Sequence, residues 1–291
     1  LSLGDNEADG ITAANAESPL TTPTYDGSGQ GVHPDVLHIP VGWNSKAYWM
    51  AFTPFPSGDN QYENPSILAS ADGQTWVVPD GLTNPIDPDP TPGFNADTDL
   101  ILIGSTMWCI YRHHIDNDDV RIVARSSTDG VTWSDEVLLF TTDVYNDISP
   151  AVIWDGSQFV MFAVKDSQIT NVVNTITKRT CATINGTWSA AIECDVHIIG
   201  HEVWHVNVIL DGTRLWALLV TADNYLYLGY SDDDGLTWRT GTTEFIARRA
   251  GQWDASLYRS AFLRTAIGFD VWYSGISGST YRIGFTQAEL A

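Results

Sequence analysis

Short strands repeated five times predict an all-β chain, and three observations carry the prediction. The string Asp-Gly-x-Thr-Trp occurs at 72–76, 129–133 and 234–238, and Asn185-Gly186-Thr187-Trp188 is a worn copy between the second and third. Five pairs of alternating apolar runs precede or follow these strings, each pair joined by a polar or glycine-containing turn. No segment of ten or more residues carries a helical period. The copies lie roughly 50 to 57 residues apart, about the length of one four-stranded unit. The expected architecture is a five-bladed β-propeller, with four-stranded antiparallel blades around a central channel.

The blades read in order along the chain. Their first strands start at Asp35-Val36-Leu37, Asp99-Leu100-Ile101, Pro150-Ala151-Val152, Val206-Asn207-Val208 and Arg259-Ser260-Ala261. The second strands are aromatic-rich: 47–52, 107–111, 159–163, 215–219 and 269–273. A third strand, the Asp-Gly turn and a fourth strand follow. The turns resemble the Asp-box turns of sialidases and other propellers; Asp or Asn before Gly frees the backbone for a hairpin and the Trp tucks beneath it. They read as structural outer turns, away from any chemistry. Blade five ends near Gln287, so residues 1–24 are expected to be an N-terminal segment, either a linker or a ring-closing strand, and 25–291 the propeller.

Composition narrows the function. The 291 residues hold 36 Asp+Glu against 14 Lys+Arg, a net charge of −22, which repels phosphate backbones and anionic membranes. Nucleic acid and membrane are therefore excluded as partners, and no stretch approaches the ~18 apolar residues of a membrane span. The 12 tryptophans suggest large sheet interfaces together with stacking platforms for sugar rings. Cys109, Cys181 and Cys194 make no disulfide framework and are expected as free thiols, although Cys181 and Cys194 could pair across a hairpin. No CxxC pair supports a structural zinc site. No signal peptide is visible in Leu1 to Ala14, the opening without Met reads as a fragment or processed chain, and the expected location is extracellular or on a virion.

In a propeller the first strands line the channel, and the residues that open them crowd one mouth. Those openings are His33-Pro34-Asp35, Asp97-Thr98-Asp99, Asp147-Ile148-Ser149, Glu202 with Trp204-His205, and Tyr258-Arg259. A radial cluster of acids around one axis sets pKa values apart, as two-carboxylate glycosidic cleavage requires. The arrangement resembles the arabinanase- and xylosidase-like hydrolases of glycoside hydrolase family 43. That resemblance implies Asp35 as general base, Asp99 as the residue tuning the acid's pKa with Asp147 as competitor, and Glu202 as general acid with Glu63 as rival. It implies an inverting glycoside hydrolase acting on a neutral oligo- or polysaccharide. His33, His205 and Arg259 would orient the sugar, and Trp43, Trp204 and Trp253 would stack on its rings. No cofactor is required and no metal ligands are assigned, although a calcium ion near the axis is compatible with the oxygen-rich surroundings. His113-His114 with Asp116, Asp118 and Asp119 reads as a solvated acidic loop.

The strings His33-Pro34-Asp35-Val36, 48–54 and Glu63-Asn64-Pro65-Ser66-Ile67 also resemble propeller modules of bacteriophage structural proteins, over 32–287. This implies the alternative of a non-catalytic carbohydrate- or receptor-binding module. Sialidase activity is rejected, because the openings supply one arginine where sialidases use three.

Overall fold

The computed structural model describes residues 6–290 except 89, 91, 117, 118 and 169–172; Asp118 of the acidic loop thus lies outside the described residues. Among the described residues the chain is all-β, broken only by two 3-10 turns at Pro56–Gly58 and Asn60–Tyr62.

Five sets of antiparallel strands follow one another. They are β1 (Gly31–Trp43), β2 (Lys46–Pro54) and β3 (Ser66–Ser70); then β4 (Phe94–Ile103), β5 (Thr106–His114), β6 (Val120–Ser127) and β7 (Val137–Thr142). The third set is β8 (Ile148–Trp154), β9 (Phe159–Lys165), β10 (Thr175–Cys181) and β11 (Ile192–Val196). The fourth is β12 (Val203–Asp211), β13 (Arg214–Thr221), β14 (Leu226–Ser231) and β15 (Thr237–Thr240), and the fifth is β16 (Ser256–Arg264), β17 (Gly268–Ser277) and β18 (Thr280–Glu289). A short parallel pairing of β11 with β15 joins the third and fourth sets into one eight-stranded sheet.

Apolar clusters between successive sets hold them together. Trp49 and Ala51 meet Cys109 and Tyr111; Ile110 and Ile122 meet Met161; Phe162 meets Val206 and Trp238. Trp216 and Leu218 then meet Phe262 and Phe269, and Trp272 and Ile283 return to Met50 and Phe52. The circuit is closed: β1 packs on both β4 and β16, and β12 on both β8 and β16. Residues near the N-terminus run along the free edge of β18, where Ala13 bridges Ala288 and the Leu20 N–H donates to the Ile283 carbonyl at 2.8 Å.

The Asp-Gly turns do local work. Asp72 Oδ1 accepts from the N–H groups of Gln74 and Thr75, and Asp129 Oδ1 from those of Val131 and Thr132. In the copy at 234–238 the acceptor is Asp233, one residue earlier, while Asp234 sits at φ 62° and binds Lys178 Nζ at 2.5 Å. The glycines of three turns seat their sets on a neighbour, Gly73 against Trp272, Gly235 against Phe162 and Gly130 against Trp49: a Cβ on Gly130, at φ +76°, would lie 2.2 Å from the Trp49 ring.

Candidate active site

Each inner strand carries a register shift near its start, between Val32 and Asp35, Ala96 and Asp99, Ile148 and Ala151, Val203 and His205, and Tyr258 and Ala261. Such bulges bend a strand and re-aim a side chain. In three of them the extra residue is a non-glycine in the left-handed region: His33 (φ 54°), Asp97 (φ 59°) and Ser149 (φ 57°). Each costs on the order of 1–3 kcal/mol and persists only where surrounding structure enforces it. Here the enforcement is visible. Thr98 Oγ1 donates to the His33 carbonyl at 2.8 Å, the Ser149 N–H donates to Asp97 Oδ2 at 3.2 Å, and Ser149 Oγ donates to the Val206 carbonyl at 3.0 Å.

The bulges bring His33, Asp97 and His205 together. Asp97 Oδ1 lies 3.5 Å from His33 Nε2 and 3.3 Å from His205 Nδ1. All three residues are buried, and one ligand atom from each falls within 4.8 Å of the others. Four of their polar atoms have no hydrogen-bond partner: His33 Nε2, Asp97 Oδ1, and both ring nitrogens of His205. His33 Nδ1, by contrast, is 3.0 Å from Thr53 Oγ1, which orients the ring and leaves Nε2 facing the cluster. Glu63 completes the group, with Oε1 3.5 Å from His33 Nδ1. The 3-10 turn at Asn60–Tyr62 delivers it, and the Glu63 carbonyl accepts from the Asn95 N–H at 2.7 Å. The Tyr258 ring lies 4.4 Å from His205 and 5.2 Å from His33.

Electrostatics sharpen the picture. Burial pushes His33 down to about 3, with His205 and Arg259 adding to the effect against the pull of Asp97. Burial lowers His205 as well, so both imidazoles are neutral at pH 7. Burial also pushes Asp97 upward, but the two histidines and Arg259 outweigh it and hold the carboxyl below its ordinary range. Glu63 is raised by burial and by Asp97. An ionised carboxylate between neutral imidazoles, with unpaired lone pairs converging, lacks a positive charge. Two nitrogens and one oxygen match the donor set of a divalent transition metal. Asp87, His113 and Glu136 also converge, but Asp87 is held by Arg125 at 2.6 Å and by the Tyr111 hydroxyl.

The cluster opens into a pocket of about 320 Å³, bounded also by Phe55, Phe94, Arg112, His114 and Trp204. Of the residues singled out in the sequence, the structure brings His33, His205, Glu63 and Trp204 into it, together with His114, which ends strand β5 instead of lying in a solvated acidic loop. The others lie elsewhere. Asp35 and Asp99 line a separate, largely apolar cavity of about 490 Å³ at the far ends of the inner strands. Asp35 accepts from the Leu100 N–H at 2.7 Å and from Asn207 Nδ2 at 2.8 Å, and Asp99 accepts from the Val152 N–H at 3.0 Å. Both tie one inner strand to another and lie outside the pocket lined by His33, Asp97 and His205.

Arg259, expected to orient a sugar, is fully buried and spans the axis. It donates to the carbonyls of Thr98, Pro150 and Val206 and lies 3.7 Å from Asp99, so it has no face toward a ligand. Asp147 is locked in an ion pair with Arg179 at 2.8 Å, and Glu202 is exposed on a loop outside the pocket. Trp43 packs edge-on against Trp49, and Trp253 packs on Tyr273 and over Gly275 and Gly284, so both serve sheet packing instead of sugar stacking. Sequence reasoning gave Asp97, Tyr258 and Arg112 no role. Asp97 stands two residues from Asp99, and strand alternation would put both on one face; only the bulge between them separates their destinations.

No protein-family model matches the chain. A curated relative, the A type blood N-acetyl-alpha-D-galactosamine deacetylase of Flavonifractor plautii, is 39% identical over 113 residues, 36% of this chain. The matched part spans 14% of that relative's length. Among solved structures, an N-acetylgalactosamine deacetylase from F. plautii in complex with blood group B trisaccharide superposes with a TM-score of 0.84 at 24% identity, over 95% of both chains. A thermostable family-43 glycoside hydrolase gives a TM-score of 0.68 at 13% identity, over 92% of both. At these identities the shared property is the fold, an all-β propeller.

Proposed function

We propose that this chain is a five-bladed propeller whose strand-opening mouth hydrolyses an acyl group, in the first instance N-acetyl, from an amino sugar within a glycan. The observation that carries the proposal is the buried trio of His33, Asp97 and His205, with unpaired atoms turned toward one point beside Glu63. The match to deacetylases over both sequence and fold supports the choice of bond.

His33, Asp97 and His205 would hold a divalent transition ion, a better fit to two imidazoles than the calcium compatible with the sequence. Such an ion supplies Lewis acidity toward the acyl carbonyl. Glu63 accepts the proton of the attacking water and returns it to the departing nitrogen. The Tyr258 hydroxyl, kept protonated by burial, donates to the oxygen that becomes negative in the transition state. Trp204 offers an apolar face to the sugar. Inverting glycosidic cleavage would instead need two free carboxylates about 6.5–9.5 Å apart across the bond. Asp35 and Asp99 line the other cavity, and Asp97 is enclosed by imidazoles.

The test is product analysis on N-acetylgalactosamine- and N-acetylglucosamine-terminated glycans, with metal content measured in parallel. Acetate release without free sugar, lost on chelation and restored by added zinc or manganese, is the expected outcome. Release of reducing sugar would overturn the deacylase reading in favour of glycosidic cleavage. Glycan binding with neither product would return the module to pure recognition.

A further inference from the structure

Among the described residues, Arg112, Lys178 and Arg259 are the buried bases of the lysine and arginine type. Two have their countercharge: Lys178 meets Asp234 at 2.5 Å, and Arg259 faces Asp99 at 3.7 Å. Arg112, 6% exposed, has no described carboxylate within 4.0 Å. Its Nη2 donates to the carbonyls of Asp143 and Val144 at 3.0 and 2.8 Å, and its Nε has no partner. The side chain lines the pocket, on β5 opposite Ala96, the residue before Asp97.

Burying a guanidinium without a paired carboxylate is costly, and an oxyanion held by its fork would complete the pair. The carboxylates that act on Arg112 electrostatically, Asp97, Asp147 and Asp143, do so from beyond ion-pair distance, and Asp147 is already paired with Arg179. We infer that the glycan accepted here carries an oxyanion, a uronate carboxylate or a sulfate ester, held by Arg112 beside the acyl-bearing sugar. This rests on the deacylase reading for the identity of that sugar. The chain's net charge of −22 does not oppose it at close range, because at physiological salt fields are screened over about 8 Å.

Calorimetry on the full chain, metal-loaded and metal-stripped, would compare three N-acetylgalactosamine disaccharides: one linked to a neutral hexose, one to a uronate, and one sulfated. The expected result is at least about tenfold tighter binding of an acidic form, the strength of one charge-assisted contact. That preference should weaken as salt rises, whereas neutral affinity should not. Arg112→Gln should bring acidic and neutral ligands to equal affinity, and Arg112→Lys should keep part of the preference. Which acidic ligand gains more separates carboxylate from sulfate. Equal affinities in the native chain, or a preference that survives Arg112→Gln, would overturn the inference. If the Gln variant does not fold, the Lys variant and the native salt dependence decide. Acetate release without acid preference sinks this inference alone, and acid preference without acetate release sinks the deacylase reading alone.

Discussion

The two ends of the central channel use similar residues to opposite ends. At the far mouth, Asp35 and Asp99 sit among apolar strand residues with their hydrogen bonds made, and Arg259 plugs the axis through three carbonyls. At the strand-opening mouth, His33, Asp97 and His205 are equally buried, yet four of their polar atoms are left without partners. Burial is alike in the two places. Satisfaction differs, and it separates a carboxylate that holds strands together from one that waits for a ligand.

The comparison can be broken by substitution at either end. The largest effect is expected at the unsatisfied end. Glu63→Gln should lower turnover by about 10²–10⁴ with the melting temperature nearly unchanged, as for loss of a general acid–base. Asp97→Asn should additionally remove the proposed divalent ion, read by elemental analysis of the purified chain. At the satisfied end the consequence is stability. Arg259→Met leaves Asp99 buried without its cation and should cost about 3–5 kcal/mol in denaturant unfolding, with the activity of the remaining folded molecules retained. A matching loss of activity per folded molecule would show that the plug reaches the chemistry. Gly130→Ala, far from either mouth, should cost about 2 kcal/mol, because a left-handed backbone and a 2.2 Å approach to Trp49 are both violated.

The smallest effect is expected from pH. Backbone N–H groups of Thr132 and Val131 hold the Asp129 carboxyl below its ordinary value of 3.8. The folded chain therefore binds this proton less readily than the unfolded chain. The resulting stability is present above pH 3.8 and is lost as pH falls through the folded value. Asp129→Ala should flatten the acid limb of the stability curve slightly; an unchanged limb would mean the turn carboxylate is not coupled to unfolding.

Repetition and alternation along the chain determined a great deal: the all-β class, the order of strand pairs, the inner strands and the mouth where their first residues gather. His33, His205, Glu63 and Trp204 were legible on that basis, because each stands at or beside the start of a strand. The roles of the acids were not. Asp35 is held by Asn207, 172 residues away, and by Leu100, and Asp99 by Val152 and Arg259. Asp97 gains its importance from a bulge that no local propensity announces. Local sequence encodes periodicity because a strand's side chains alternate regardless of what surrounds them. A buried carboxylate's function depends on which distant donors reach it, and only the tertiary structure decides that.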